Sequence, residues 1–319
     1  MWEVSIFIAT LFLAYAKGSN DNFKGVATLF GSRITSYQTA ILWATFTTFA
    51  GALTSILFAD SLVQRFSGQG IVRDAIAQGD NFHIAVAIAT GVTVMIATNL
   101  GLPVSTTHSL IGAIFGASLV AIGLEANSTI LLNSFVLPLF ISPLIAIPLS
   151  AGIYSLTEYI QPKLSITVNP KIVDNIHYIS AGLICFIQGF YDTPRLVSLV
   201  IIIEYFSRQG AIITIAMAMG LGGLISSQRI AETISLKITP INPTQGLSAN
   251  IITSILVIIA NFFALPISAT HVAVGSILGA GIITEKVNKF VVFKILIAWI
   301  LTLPTATIIS GVIYRLLQR

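Results

Sequence analysis

Apolar residues in this chain run in long blocks, at 3–16, 39–59, 84–98, 110–124, 130–160, 176–187, 196–203, 211–225, 251–283 and 290–317. About 20 apolar residues span a bilayer as a helix, so 130–160 and 251–283 are too long for one span each. Several other blocks are too short, which fits broken or re-entrant helices. The pattern predicts an all-α polytopic membrane protein with roughly ten to twelve membrane segments. The first block follows Met-Trp-Glu without a basic leader or small-residue cleavage site, and is expected to be a permanent helix. Polar stretches punctuate the blocks: 60–82 is expected to be a loop, and QPKLSITVNPK (161–171) a connector.

Two passages are near-copies. GLPVSTTHSLIGAIFGASL (101–119) and ALPISATHVAVGSILGAGI (264–282) agree at nine of nineteen positions. The repeat extends upstream: a shift of 171 pairs Gly18 with Gly189, Asp21 with Asp192, Lys24 with Arg195, Gly51 with Gly222 and Ser55 with Ser226. This places a first membrane repeat at 1–160, a connector at 161–173 and a second repeat at 174–319. The residues leave open whether the halves run parallel or inverted. Duplicated membrane folds of this kind place a substrate site where the halves meet.

Composition agrees. The 319 residues are 55% hydrophobic and 9% charged, with mean hydropathy +0.93, whereas a soluble domain carries about 25% charged residues. Lipid must cover much of the surface, and a multi-pass cell-membrane protein is expected. The net charge of +4 comes without a basic run, so nucleic acid is set aside as a partner. Scattered lysines and arginines give no orientation. The lone Cys185 excludes a disulfide framework and is expected to be a buried, inert thiol. HExxH, Walker and GxSxG patterns are absent, so an enzyme is not expected.

The paired passages carry the candidate chemistry. In LPVSTTH and LPISATH a proline is expected in the first helical turn, with Ser and Thr standing at the helix start. Unpaired N–H groups there, at the positive end of the helix dipole, form an anion site to which hydroxyls add donors. The alternative, a capped packing helix, loses ground because the pattern occurs twice. Gly112/Gly116 and Gly275/Gly279 would let helices approach closely. KGSNDNFKG (17–25) and QGFYDTPRL (188–196) each end an apolar segment with an aspartate, and intramembrane carboxylates mark pathways or sites. Lys24 and Arg195, three residues beyond Asp21 and Asp192, would face them on a helix, as local neutralisation or as built-in cations. His108 and His271 are expected to pack helices. Gln188, opposite Lys17 in the repeat, and Asn99 and Asn261 are weaker lining candidates.

These motifs resemble the inorganic phosphate transporter (PiT) family over nearly the whole chain. GLPVSTTHSLIGAIFGA and ALPISATHVAVGSILGAG are similar to its signature hairpins, GSNDNFKGVATLFGSRI to its Gly-Ala-Asn-Asp motif, and QRIAETISLKITPINPTQGLSAN (228–250) to the segment before the second hairpin. The resemblance implies two inverted-topology repeats with re-entrant helical hairpins, often dimeric, moving inorganic phosphate with Na⁺ or H⁺ and needing no other cofactor. It assigns Ser105, Thr106, Thr107, Ser268, Ala269 and Thr270 to oxyanion binding, with Lys24 and Arg195 as further substrate-binding candidates. Asn20, Asp21 and Asp192, with flanking Asn22 and Thr193, form the candidate coupling set, and Na⁺ would sit at Asp21 and Asp192.

The departures bear on coupling. Lys24 and Arg195 stand where the family usually has asparagine, Phe190 and Tyr191 replace a small residue and asparagine, and Thr48 and Asn250 stand at glutamate positions. A buried cation beside a carboxylate mimics a bound Na⁺, so reduced Na⁺ dependence is expected, with Lys24 and Asp21 candidates for a proton-linked pair. Sulfate or another small oxyanion is the alternative cargo, and a non-transporting receptor the alternative class.

Overall fold

The computed structural model describes residues 2–58, 79–123, 137–163, 169–200, 207–263, 265 and 267–319. Most of the expected 60–82 loop, and the middle of the 161–173 connector, lie outside these residues. The described residues contain helices and no strand. The helices are α1 (Trp2–Asp21), α2 (Ala27–Gly31), α3 (Tyr37–Ser55), α4 (Asp80–Asn99), α5 (Thr106–Ile122), α6 (Leu137–Lys163), α7 (Pro170–Val197), α8 (Arg208–Ser226), α9 (Gln228–Glu232), α10 (Pro243–Phe262), α11 (Ala269–Ile282) and α12 (Lys289–Leu317). Among the described residues six stretches are long and apolar enough to cross a membrane: Tyr37–Phe58, Asp80–Asn99, Phe140–Ile160, Arg208–Ser226, Pro243–Phe262 and Lys289–Leu317. Two shorter apolar helices, α5 and α11, follow the paired Leu-Pro motifs. Outward-facing Phe46, Leu144, Phe262, Phe293 and Ile308 are exposed, as a lipid-facing surface requires.

The long apolar block at 251–283 is split between α10 and α11, as its length demanded. The described part of 130–160 is one unbroken helix, α6, and 130–136 lie outside the described residues. Further on, the block pattern misleads. The blocks at 176–187 and 196–203 are bridged, because α7 runs straight through the polar stretch 188–196 with Pro194 inside it. Asp192 therefore lies within a helix, whereas Asp21 does end one.

Packing follows the repeat. Under the 171-residue shift α1 corresponds to α7 and α3 to α8. The major contact of α1 with α8 is matched by that of α3 with α7, and α1 on α4 by α7 on α10. Likewise α5 packs on α12 as α11 packs on α6. The sequence-defined halves thus interlock, each supplying the partners of the other.

Glycine sets how close these helices come. A Cβ on Gly18 would sit 1.8 Å from the Met219 carbonyl oxygen, and on Gly222 2.0 Å from that of Tyr15; on Gly51 or Gly189 it would sit 1.9 Å from the Phe186 or Thr48 oxygen. Backbone cannot yield as a flexible side chain does, so these four glycines fix the separations of α1/α8 and α3/α7. Gly112 and Gly116 meet Leu303 and Thr307 of α12 in the same way, and Gly279 meets Ile147 of α6. Forcing a methyl into such contacts costs about 1–3 kcal/mol or more. Gly189→Ala is therefore expected to lower the melting temperature in detergent; unchanged melting would mean the α3/α7 contact is looser than described.

Candidate functional site

Each re-entrant tip is built by the same local rules. At the end of α4, Gly101 takes a left-handed φ of 68°, Gly101 N donates to Thr98 O at 2.9 Å, and Leu102 N donates to Ala97 O at 2.9 Å. That pair of bonds closes the last turn of α4 and frees the chain to double back. At the matching end of α10, Leu265 N donates to Ala260 O at 2.7 Å. Ser105 then caps α5, its hydroxyl oxygen accepting from His108 N at 3.2 Å, and Ser268 caps α11 by accepting from His271 N at 3.2 Å. A cap of this kind satisfies one first-turn donor and leaves neighbouring N–H groups, with the positive helix end, for an anion.

Pro103 sits differently from expectation. Helix α5 starts at Thr106, so Pro103 lies in the extended lead-in, ahead of the cap, and its carbonyl accepts from Trp299 Nε1 at 2.9 Å. Pro266 lies outside the described residues. His108 and His271, third in their helices, lie in a row between Phe140 and Trp299: His108 meets Phe140 edge-on, the ring centroids of the two histidines are 5.1 Å apart, and His271 stacks on Trp299 at 3.8 Å. They join the two helix starts by packing.

The lead-in to α5 is clamped from α1. Asn20, fully buried, donates through Nδ2 to Thr98 Oγ1 at 2.9 Å and Leu102 O at 3.2 Å, and its Oδ1 accepts from Val104 N at 3.1 Å. Val104 O in turn accepts from Lys24 Nζ at 2.8 Å and from Thr270 Oγ1 at 3.0 Å. One tip therefore binds the other directly through Thr270.

Both tips open on one small polar cleft. Its lining includes Ser105, Thr106, Thr107, Ser268, Ala269 and Thr270, together with Lys17, Asp21, Gln188, Tyr191, Asp192, Arg195 and Asn261. Asp21 Oδ2 accepts from Lys17 Nζ at 2.7 Å and from Thr106 Oγ1 at 2.5 Å, while Oδ1 accepts from Lys24 Nζ. Asp192 Oδ2 lies 2.9 Å from the same Lys17 Nζ, and its Oδ1 3.1 Å from Arg195 Nη1. Arg195 Nη1 also reaches Thr107 Oγ1 at 3.5 Å. Among the described residues, three cations meet two carboxylates, a formal excess of one positive charge beside two positive helix ends.

The i,i+3 pairs Asp21/Lys24 and Asp192/Arg195 form as their spacing suggested. Lys17, which ties both aspartates together, is not among the site residues the sequence singles out; its signal is the i,i+4 spacing to Asp21 inside an otherwise apolar helix. Lys24 does not line the cleft. Its side chain is 0% exposed, and its three N–H bonds go to Asp21, Val104 O and Thr270 Oγ1, so it braces the site from behind. Asn22 also lies outside the main cleft: it donates to Thr45 Oγ1 and accepts from Thr48 Oγ1, both at 2.9 Å. Thr193 is buried with its hydroxyl 3.9 Å from Met219 Sδ, and Asn250 donates to Gly25 O at 3.4 Å.

As a sodium site the two aspartates do not fit. All four carboxylate oxygens already accept from lysine or arginine, and no carboxylate oxygen is left facing only neutral oxygens of the kind a hard cation shares.

Comparison with known proteins follows the same line. Residues 17–310 match the description of the phosphate transporter family. The chain is 28% identical over 333 residues, 99% of itself and 97% of the relative, to a "Probable low-affinity inorganic phosphate transporter" of Bacillus subtilis (strain 168). It is 27% identical over 327 residues, 98% of itself and 95% of the relative, to a protein of the same description from Rhizobium meliloti (strain 1021). A solved structure described as "The sodium-dependent phosphate transporter" superposes with a TM-score of 0.83 at 22% identity, covering 99% of both chains. At that identity the likeness speaks to the fold.

Asn20→Ala would strand the Val104 N–H and loosen the lead-in to α5. A buried donor left unpaired costs about 1–3 kcal/mol, so melting in detergent should fall while the far-UV helical signal persists. Unaltered melting would show that the clamp is dispensable.

Proposed function

The chain belongs to the phosphate transporter family, and on that premise we propose that it carries inorganic phosphate through alternating exposure of the cleft, with its own cations replacing an external sodium ion. The observation that supports this most is the meeting of two serine-capped helix starts at one cleft where, among the described residues, cations outnumber carboxylates. First-turn amides and the hydroxyls of Ser105, Thr106, Thr107, Ser268 and Thr270 supply donors to an oxyanion, and Arg195 supplies charge. Ala269 contributes its backbone N–H. In this reading the repeats are inverted and exchange access by rocking about the interlocked helices.

Phosphate is favoured over sulfate by the carboxylates. Asp21 and Asp192 face the cleft, where each can accept one more hydrogen bond, from a phosphate hydroxyl, beside those from its cations; sulfate has no hydrogen to give and sets only its negative oxygens against the carboxylates. Coupling to protons, with Lys24 and Asp21 as the linked pair, is the companion proposal.

Labelled phosphate uptake into proteoliposomes, with Na⁺ and pH gradients imposed separately, tests this. Accumulation that follows the pH gradient, proceeds without Na⁺ and resists competition by sulfate is expected. Steep, saturable Na⁺ dependence, or no accumulation at all, would contradict it. Ser105→Ala with Ser268→Ala is expected to raise KM about ten-fold, about 1.4 kcal/mol of lost hydrogen bonding; unchanged KM in a folded protein would displace the site. Lys24→Asn removes the ammonium from among Asp21 Oδ1, Val104 O and Thr270 Oγ1. Three such oxygens suit a hard cation, so uptake by this variant should become stimulated by Na⁺. Indifference to Na⁺ would show that Lys24 does not stand in for an ion.

A further inference from the structure

Two lysines are buried at the cleft, and they differ in what they have left to give. Lys24 spends three N–H bonds on protein oxygens and is sealed from the cleft. Lys17 lines the cleft and has two partners among the described residues, Asp21 Oδ2 at 2.7 Å and Asp192 Oδ2 at 2.9 Å. An ammonium has three N–H groups, so one remains for a ligand.

The position of Lys17 in the repeat sharpens this. Its counterpart under the 171-residue shift is Gln188, which occupies the same i,i+4 place before Asp192 that Lys17 occupies before Asp21. Both side chains line the main cleft, and both line a smaller adjoining one together with Asp21 and Asp192. The carboxylates, arginine or lysine partners and helix starts come in matched pairs, but the bridging ammonium comes from one half alone.

We infer that Lys17 is the exchangeable cation of the site: it is shared by Asp21 and Asp192 in the empty cleft and donates its remaining N–H directly to the bound oxyanion. Arg195 holds the anion's other side. A charge-assisted bond from a largely desolvated ammonium is among the stronger contacts an oxyanion can make. Because Lys17 belongs to α1 and Asp192 to α7, the same contact makes occupancy of the cleft felt by the ion pair that joins the two helices. This inference rests on the oxyanion-carrier reading above.

Pseudo-symmetry supplies the test. Lys17→Gln removes the ammonium, and Lys17→Gln with Gln188→Lys returns it to the same two carboxylates from the opposite helix. Equilibrium binding of inorganic phosphate to the purified full chain should weaken at least about ten-fold in the single variant and return close to the original Kd in the swapped double. Phosphate binding unchanged in the single variant, or as weak in the swap as in the single, overturns the inference. Should the single variant fail to fold, Lys17→Gln with Asp192→Asn removes one cation together with one anion. Weak binding by this balanced variant beside near-normal binding by the swap supports the assignment; normal binding by the balanced variant overturns it. Sulfate is run alongside phosphate on every variant. If the unaltered protein binds sulfate and not phosphate, the phosphate reading fails while the sulfate Kd values still decide the role of Lys17.

Discussion

An ionised carboxylate inside a membrane-embedded fold is stable only beside a cation that is itself hydrogen-bonded, and two such carboxylates here share three cations. Asp21 and Asp192 lie on different helices, from opposite halves of the repeat, and the Lys17 ammonium between them holds those helices in one electrostatic unit. Removing either aspartate would leave a cation buried without its carboxylate, whereas each aspartate keeps one cation when Lys17 is removed. The excess of cations among the described residues, beside two helix ends at one cleft, is what the proposed binding of an anion there relies on.

The surrounding fold exists to keep this unit in register. Glycines at the α1/α8 and α3/α7 crossings bring backbones to contact, which fixes where Asp21 and Asp192 enter the cleft. The closed last turn of α4 and the serine caps of α5 and α11 turn each hairpin at a set depth. Asn20 of α1 and Lys24 of the turn that follows it then tie down the first tip, and Thr270 ties the second tip to the first. Irregular backbone of this kind survives within a membrane protein because its polar groups find partners inside the protein.

Much of this was legible beforehand, for reasons specific to particular residues. Duplication made the hairpin starts visible, since Ser105 and Ser268 recur in matching frames, and i,i+3 spacing revealed the Asp21/Lys24 and Asp192/Arg195 pairs. Block hydrophobicity gave the helices but not their ends: α7 runs on through 188–196 because its polar side chains face the cleft, where a hydropathy pattern sees only an interruption. Lys17 escaped because its repeat partner is Gln188, so symmetry, which exposed the other site residues, concealed this one. The local pattern puts Pro103 in a first helical turn, whereas its carbonyl accepts from Trp299, a contact across 196 residues that no local pattern encodes.

The central claim is that cations carried by the protein occupy the electrostatic role of a coupling ion. It is tested most directly by measuring the Kd of inorganic phosphate for the purified protein by calorimetry, in choline buffer and again with sodium added at equal ionic strength. The account predicts the same Kd in both. Affinity that appears or tightens about ten-fold only when sodium is present, a linkage of about 1.4 kcal/mol, would contradict it.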